Sequence, residues 1–144
     1  MEEFDCLKLE NQLCFPLYVA SKYVVRSYTP ILEEFDLTYT QYIAMMAMWE
    51  RQSLSMNELG KILYLDSGTL TPLVNKLIKK GYLQKQIDLN DKRMISITLT
   101  EKGFSLKQEM KEVPSKVAKC ICMDKEEAQA LRRYLDKIIT SYEE

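Results

Sequence analysis

The segment Asn11–Tyr18, NQLCFPLY, places a cysteine and a proline two residues apart, close to the start of a stretch with helical periodicity. Proline fits the first turn of a helix, where backbone N–H groups have no intrahelical partner, so Pro16 predicts that a helix begins or bends close to Cys14. Unpaired N–H groups and the positive end of the helix dipole both favour a thiolate. Cys14 is therefore a candidate reactive thiol, and the alternative is an inert buried cysteine.

The rest of the chain excludes several other kinds of chemistry. It contains no histidine, which excludes Ser-His and Cys-His hydrolases and removes a common zinc ligand. Cys120 and Cys122 form a C-x-C pair that lacks the C-x-x-C spacing of structural zinc sites, and Cys6 stands alone. We therefore predict no metal, no cofactor and no enzymatic activity, with free or redox-active thiols in place of a disulfide framework.

Length and composition predict the number of domains and the cellular compartment of the protein. The 144 residues, of which 47% are hydrophobic and 28% charged, suit a single domain over residues 1–144 with its own core. No run of 18 apolar residues exists, and the N-terminal sequence MEEFD is acidic where a signal peptide is basic. The prediction is a cytoplasmic protein without a membrane partner.

The elements that must position these residues are mainly helical. Apolar periodicity, two capping boxes that open at Thr38 and Ser55, and a glycine cap at Gly81 predict four helices, over about residues 7–34, 38–51, 55–64 and 67–80. Pro72 places the first turn of the fourth helix around Thr69–Thr71. Alternating residues over 83–87 and 95–99 then predict a β-hairpin. Two helices follow, one from Thr100 with a kink at Pro114 and one from Asp124.

This order predicts a mainly α fold with a small β-hairpin (α+β), a winged helix-turn-helix over about residues 38–100. The flanking segments, about 7–35 and 101–142, carry apolar stripes that so small a domain cannot bury alone, so we interpret them as dimerisation helices. In such a domain the second helix of the pair enters the major groove and the wing reaches the minor groove. The candidate DNA-binding residues on that helix and the wing are Ser67, Thr69, Thr71, Asn75, Lys76, Lys79, Asp91, Lys92 and Arg93.

Charge supports this assignment locally. The whole chain has a net charge of −1, whereas residues 67–93 hold six basic and two acidic side chains, a local balance of +4. Simpler explanations remain open at this point: the basic residues form a solvated helix face, one of the hydroxyl residues Ser67, Thr69 and Thr71 is only a helix cap, and Asp91 forms a surface ion pair with Arg93.

Four segments also resemble the MarR family, in particular its organic-hydroperoxide-responsive OhrR branch and SarZ/MgrA-type thiol redox regulators. They are NQLCFPLY, LTYTQYIAMMAMWE, LYLDSGTLTPLVNKL and NDKRMISITLTEKG. The resemblance implies a homodimeric repressor of a pseudo-palindromic double-stranded DNA operator, with organic hydroperoxide as inducer. Cys14 matches the family's sensor cysteine, and Tyr28 and Tyr39 match the tyrosines that stabilise its thiolate across the dimer. Oxidation to sulfenic acid then releases the DNA.

The same resemblance leaves two ways to complete the oxidation. Some members of the branch form a mixed disulfide with a low-molecular-weight thiol, and others use a C-terminal resolving cysteine of the second subunit. Cys120 and Cys122 both lie in the right region. On a helix their side chains point about 200° apart, so at most one faces Cys14. Cys120 falls on the apolar stripe and is also a candidate core residue.

Two alternative functions are compatible with parts of the sequence. A MarR-type repressor released by a small aromatic ligand uses the same fold without any redox role for Cys14. Met45, Met46, Met48 and Trp49 suggest a ligand pocket, but their helical spacing is typical of core or pocket lining, which the entry of an organic hydroperoxide also requires. A thiol peroxidase, from a different class, uses Cys14 and a resolving cysteine, but it has no use for the recognition helix and the wing.

Overall fold

Residues 2–143 of the computed structural model contain seven α-helices and a three-stranded antiparallel sheet. The helices are α1 (Cys14–Leu32), α2 (Tyr39–Arg51), α3 (Met56–Leu63), α4 (Ser67–Lys79), α5 (Glu101–Glu109), α6 (Val113–Ala118) and α7 (Lys125–Thr140). The strands are β1 (Ser53–Ser55), β2 (Leu83–Ile87) and β3 (Ile95–Leu99). The mainly helical winged helix-turn-helix fold is confirmed.

The first helix begins at Cys14, later than the predicted start at Leu7. The residues before it form two short 3-10 turns, Asp5–Leu7 and Leu9–Asn11. Pro16 explains the difference, because it is the third residue of α1, where no intrahelical N–H is needed, whereas a helix from Leu7 would hold it in its interior. The prediction that Pro16 marks a helix start near Cys14 is confirmed.

Side-chain caps fix the next two helices where the sequence placed them. The Thr38 hydroxyl accepts from the Gln41 backbone N–H, and the Gln41 side chain accepts from the Thr38 N–H. Ser55 and Glu58 form the same reciprocal pair at the start of α3. Both capping boxes are confirmed, and each satisfies two backbone donors that the helix itself leaves without partners.

The start of α4 differs from the prediction. Its N-cap is Asp66, whose carboxylate accepts from the Thr69 N–H at 2.8 Å, so the helix begins at Ser67 and Pro72 lies in its second turn. The prediction of a first turn at Thr69–Thr71 is wrong because this cap fixes the earlier start. At the other end Gly81 has a φ of +84°, and the N–H groups of Gly81 and Tyr82 donate to the Ile78 and Leu77 carbonyls. The predicted glycine cap is confirmed as a Schellman motif.

The predicted hairpin gains a third strand. β2 pairs with β3 from Leu83–Leu99 to Ile87–Ile95, and β1 pairs with the other edge of β3. The register places Leu54 opposite Ile97, and both side chains are buried. Three residues are too few to show a strand period, so the sequence pattern did not reveal β1.

The helix from Thr100 is broken rather than kinked at Pro114. α5 ends at Glu109, and Pro114 occupies the first turn of the separate helix α6. The last helix, α7, follows Asp124 as predicted, and Asp124 and Glu127 form a reciprocal capping box at its start. Cys120 and Cys122 therefore lie in the turn between α6 and α7, not on a helix.

The core lies between α2, α3, α4 and the sheet. Its fully buried side chains include Met45, Met48, Leu59, Val74, Leu77 and Ile97. By contrast, Leu32 is the one buried residue of α1, and α7 has none. None of the helices in residues 2–143 combines the length and the apolar character needed to cross a membrane.

Candidate redox site and nucleic-acid interface

Cys14 is exposed at the first position of α1. The preceding residue, Leu13, supplies no side-chain cap, so the N–H groups of the first turn are left to solvent or to a ligand. The sulfur thus lies at the positive end of a 19-residue helix. Within its own subunit Cys14 is therefore not a buried core cysteine.

The two tyrosines that the resemblance assigned to the thiolate lie against each other. The ring centroids of Tyr28 and Tyr39 are 4.8 Å apart, with Tyr28 near the C-terminal end of α1 and Tyr39 at the start of α2. Burial, and secondly the charge that Tyr39 acquires on ionisation, raise the pKa of Tyr28 above its ordinary value. Tyr28 therefore keeps its phenol proton at neutral pH and is a hydrogen-bond donor.

Cys14 and the tyrosine pair occupy opposite ends of one helix. Tyr28 follows Cys14 by fourteen residues on α1, which corresponds to about 21 Å along the helix axis. A phenol O–H must approach a sulfur to within about 4 Å or less to donate to it. Within one subunit, Cys14 and Tyr28 cannot make this contact.

The aromatic cluster extends further than the sequence indicated. Tyr42 lies 5.6 Å from Tyr28 and 6.4 Å from Trp49, measured between ring centroids. The Trp49 indole N–H donates to the Gly103 carbonyl on α5 at 2.8 Å. The signal was present in the sequence, because residues 39, 42 and 49 are separated by three and seven positions and so share one face of α2. Met45 and Met48 are core residues, whereas Met46 is exposed.

All four cysteines are exposed. The Cys120 thiol lies 3.6 Å from the Lys116 carbonyl, to which it donates. The suggestion that Cys120 is a core residue is wrong, because the chain leaves its helix after Ala118 and the apolar stripe ends there, with only Ile121 turned to the core. Among the residues that the structure describes, no cluster of three His, Cys, Asp or Glu side chains is arranged to hold a metal ion.

The hydroxyl side chains of the recognition helix α4 are not caps. Asp66 fills that role, because its carboxylate accepts from the Thr69 backbone N–H, and Ser67, Thr69 and Thr71 are all exposed. Hydrogen bonds from Thr69 lower the pKa of Asp66, so a carboxylate occupies the start of α4 at neutral pH. This negative charge opposes phosphate binding at that helix end.

That outer face is polar and basic. Leu70, Leu73, Val74 and Leu77 are buried, and Asn75, Lys76 and Lys79 are exposed on the remaining surface of the helix. Lys80, one of the six basic residues counted in segment 67–93, does not belong to this outer face. Its ammonium contacts the Asp36 carboxylate at 3.4 Å, the Asp36 carbonyl, and the Gln41 side-chain oxygen at 3.3 Å. Five cations of the segment 67–93 remain for a nucleic acid.

The wing tip carries the last three candidate residues, all of them exposed. The Asp91 carboxylate accepts from the Arg93 backbone N–H at 3.0 Å, and the Asp91 carbonyl accepts from the Met94 N–H. In the described residues no ion pair joins Asp91 to Arg93, so the surface ion pair considered above is wrong. Asp91 shapes the turn and leaves the Arg93 guanidinium to project from the tip.

Comparison with known proteins decides the family. Residues 26–110 match the family described as "Transcriptional regulator SarA/Rot". The chain belongs to the SarA/Rot family of MarR-like transcriptional regulators. It is 42% identical over 142 residues to the HTH-type transcriptional regulator SarZ of Staphylococcus saprophyticus, covering 99% of this chain and 97% of that one.

A second relative of this SarA/Rot-family regulator is the organic hydroperoxide resistance transcriptional regulator of Bacillus subtilis, 36% identical over 141 residues, which cover 98% of this chain and 94% of that one. Among solved structures, reduced AbfR bound to DNA matches with a TM-score of 0.76 and 31% identity over 97% of this chain and 98% of that one. A disulfide form of AbfR, a protein of Staphylococcus epidermidis, matches with a TM-score of 0.65 and 32% identity over 94% and 95%. The resemblance to OhrR- and SarZ-type regulators is confirmed.

Proposed function

We propose that this regulator is a homodimeric, DNA-binding repressor that releases its operator when an organic hydroperoxide oxidises Cys14. The observation that carries the proposal is the separation of Cys14 from the Tyr28–Tyr39 pair at opposite ends of α1. When two α1 helices pack antiparallel about a two-fold axis, each Cys14 lies beside the tyrosine pair of the other subunit. A redox site of this kind is complete only in the dimer.

Exposed apolar surface supports such a dimer. On α1 the side chains of Phe15, Leu17, Tyr18, Tyr23 and Val25 are exposed, and on α7 those of Leu131, Tyr134, Ile138 and Ile139. An amphipathic helix is stabilised when its apolar face packs against another apolar surface, and exposed apolar side chains grouped on one helix are typical of interaction surfaces. Pairing of the N- and C-terminal helices of two subunits buries both faces.

The chemistry of the switch follows from the thiolate. The Cys14 sulfur attacks the hydroperoxide, the O–O bond breaks, one oxygen forms a sulfenic acid and the other leaves as an alcohol. The phenols of Tyr28 and Tyr39 then face a neutral, larger group instead of an anion, so their hydrogen bonds rearrange. Tyr28 and Tyr39 lie on α1 and α2 and are connected through Tyr42 and Trp49 to Gly103 on α5. In this proposal their rearrangement is transmitted along these contacts and changes the spacing of the two recognition helices.

A C-terminal thiol completes the oxidation in this proposal. Cys120 or Cys122 of the other subunit attacks the sulfenic sulfur, an S–S bond forms and water leaves. The disulfide form of AbfR supports a two-cysteine switch in this family. A low-molecular-weight thiol is the alternative partner for the same sulfenic acid.

The test of the proposal compares reduced and oxidised protein on one DNA. Duplex from the protein's own promoter region is titrated with reduced dimer and with dimer treated with stoichiometric cumene hydroperoxide, and binding is read by fluorescence anisotropy. We expect tight binding of the reduced form only, with restoration by dithiothreitol. Equal affinity of both forms, with Cys14 shown to be oxidised by mass, contradicts the sensor assignment and leaves the DNA-binding assignment intact.

Arg93→Ala is expected to weaken DNA binding by the reduced protein by roughly tenfold to a hundredfold, which corresponds to about 1–3 kcal/mol. The reason is that a guanidinium at the wing tip is placed for a narrow, electronegative minor groove. The Kd is measured by anisotropy at several salt concentrations, and the salt dependence should also become less steep. Lys107→Ala, which removes an exposed cation from α5, is the matched control and should leave the Kd within about twofold.

Tyr39→Phe is expected to slow the oxidation of Cys14 by cumene hydroperoxide by roughly tenfold, because a hydrogen bond to a charged group contributes about 1.5–3 kcal/mol. The rate is followed by intact mass after alkylation of the remaining thiols. Tyr42→Phe is the control, since Tyr42 belongs to the same aromatic cluster but has no assigned contact with the sulfur. An equal rate for wild type and Tyr39→Phe contradicts the role of Tyr39.

A second function, repression released by a small ligand, is favoured by one observation. A groove of about 580 Å³ lies beside Tyr39 between α1, α2 and α4, and Lys76 and Lys80 line it. A groove of this volume suits a small molecule. The cations Lys76 and Lys80 are balanced by the lining carboxylates of Glu33 and Asp36, so the groove has no net preference for a ligand charge. Release of DNA by salicylate from a Cys14→Ser protein, measured by the same anisotropy assay, would favour this function over redox sensing.

A further inference from the structure

The turn between α6 and α7 holds two thiols where a resolving step needs one. Cys120 and Cys122 are both exposed, while the residue between them, Ile121, is half-buried and packs against the core. A side chain anchored inward with exposed neighbours on both sides leaves the two thiols on the solvent side of the turn. Cys120 and Cys122 therefore form a pair of accessible thiols one residue apart.

The backbone of this turn removes the obstacle that a helix would impose. Cys120 and Ile121 close the end of α6, with N–H groups that donate to the Val117 and Ala118 carbonyls at 2.9 and 3.2 Å. The Met123 N–H then donates to the Ile121 carbonyl at 2.8 Å, which makes a three-residue turn centred on Cys122. The two side chains are thus not held about 200° apart, as they would be on a continuous helix.

The covalent distance is also compatible with a bond between them. The Cα atoms of residues i and i+2 are at most about 7 Å apart in any conformation, which is the upper limit of the Cα separation across a disulfide.

We propose that Cys120 and Cys122 form a dithiol that takes over the oxidation of Cys14 by thiol–disulfide exchange. This inference rests on the proposed function. In the first step one of the two thiols forms the intersubunit disulfide with Cys14. The thiolate of the other then attacks the sulfur of its neighbour, the intersubunit S–S bond breaks, and Cys14 leaves as a thiolate. The product is a Cys120–Cys122 disulfide within one subunit, and no external oxidant or reductant is consumed in the exchange.

The exchange is intramolecular, so the attacking thiol has a high effective concentration at the mixed disulfide. The exchange would give the regulator a two-stage response to hydroperoxide. The first equivalent of hydroperoxide per subunit releases DNA only until the exchange restores the Cys14 thiolate. A second equivalent meets a subunit whose resolving thiols are already consumed, so the sulfenic acid of Cys14 persists or reacts with a low-molecular-weight thiol. Brief and sustained oxidation are thereby distinguished.

The experiment uses the reduced full-length dimer with one equivalent of cumene hydroperoxide per subunit. Samples are quenched with N-ethylmaleimide over time and analysed by non-reducing gel, by peptide mass and by DNA-binding anisotropy. We expect the crosslinked dimer to rise and then fall as a monomer appears in which Cys14 is alkylated and Cys120 and Cys122 are joined. DNA binding should return in parallel. In the Cys122→Ser and Cys120→Ser variants the crosslink or the sulfenic acid should persist, and DNA binding should not recover.

Three results overturn the inference and are distinguishable. A crosslink that persists in the wild type while the spare thiol is alkylated overturns the exchange and leaves the sensor proposal standing. Cys14, Cys120 and Cys122 that all stay fully alkylated from the first time point, although the hydroperoxide is consumed, overturn the sensor proposal and the exchange together. Independently, diamide treatment of a Cys14→Ser protein should remove two thiols per subunit without crosslinking, and retention of both thiols overturns the assignment of a dithiol.

Discussion

A Cys14→Ser protein is expected to bind promoter DNA with an affinity within about twofold of wild type and to ignore cumene hydroperoxide. Serine retains the size and the position at the start of α1, so the fold and the recognition surface stay intact. Its hydroxyl is not a nucleophile towards peroxide at neutral pH, since the thiolate is the reactive species at such a site. The wild-type protein should lose at least a hundredfold in affinity on oxidation, and the variant should lose none.

The control for this prediction is Cys6→Ser. Cys6 is also exposed and near the N-terminus, but it lies in a short 3-10 turn outside any helix and was assigned no role. The variant should respond to peroxide as wild type does. Release of DNA by peroxide from the Cys14→Ser protein would contradict the sensor assignment. Loss of the response in the Cys6→Ser protein would show that the response requires Cys6 and that the assignment to Cys14 alone is wrong.

Gly103→Ala is expected to destabilise the fold by about 3 kcal/mol, near the upper end of the range for overpacked cores. A Cβ at this position would lie 2.2 Å from the Tyr82 carbonyl oxygen and 2.9 Å from the Leu99 side chain. The first contact is with backbone at the base of the wing, which cannot yield without moving β2 away from α5. The loss of free energy of unfolding is measured by urea titration, followed by the fluorescence of Trp49, the chain's single tryptophan. Trp49 reports on this site because its indole N–H donates a hydrogen bond to the Gly103 carbonyl.

Gly68→Ala is the matched control for Gly103→Ala. Its Cβ would approach only the Asp66 carboxylate oxygen, at 3.4 Å, within the first turn of α4. Alanine is the better helix former, so the free energy of unfolding should stay the same or rise by up to about 1 kcal/mol. Equal destabilisation by both substitutions would show that the close approach of α5 to Tyr82 does not limit the size of residue 103.

The elements that the sequence predicted correctly are those encoded by short-range chemistry. The capping boxes at Thr38 and Ser55 place a hydroxyl and an amide or carboxylate three residues apart, and this spacing is sufficient to start a helix wherever the helix later packs. Gly81 is similar, because a left-handed residue is needed after α4 and glycine adopts it without strain. The strands β2 and β3 followed from two-residue alternation.

The elements that the sequence missed depend on contacts far along the chain. β1 is a strand only because Leu54 meets Ile97 across the sheet, and three residues have no period of their own. The direction of Lys80 is set by Asp36 and Gln41, some forty residues away, so counting charges along the segment overestimated the surface available to a nucleic acid. The exposure of Cys120 followed from where α6 ends, which the apolar pattern did not reveal.

The sequence by itself determined the order of the helices, the hairpin and the family, and it singled out Cys14 as the candidate reactive thiol, because each depends on residues within about four positions of one another or on matched segments. The tertiary structure decided what those residues can do together. It brought Tyr28 to Tyr39 from separate helices, and it placed both far from Cys14. Such distances between remote segments depend on packing of the whole core, and no local pattern encodes them.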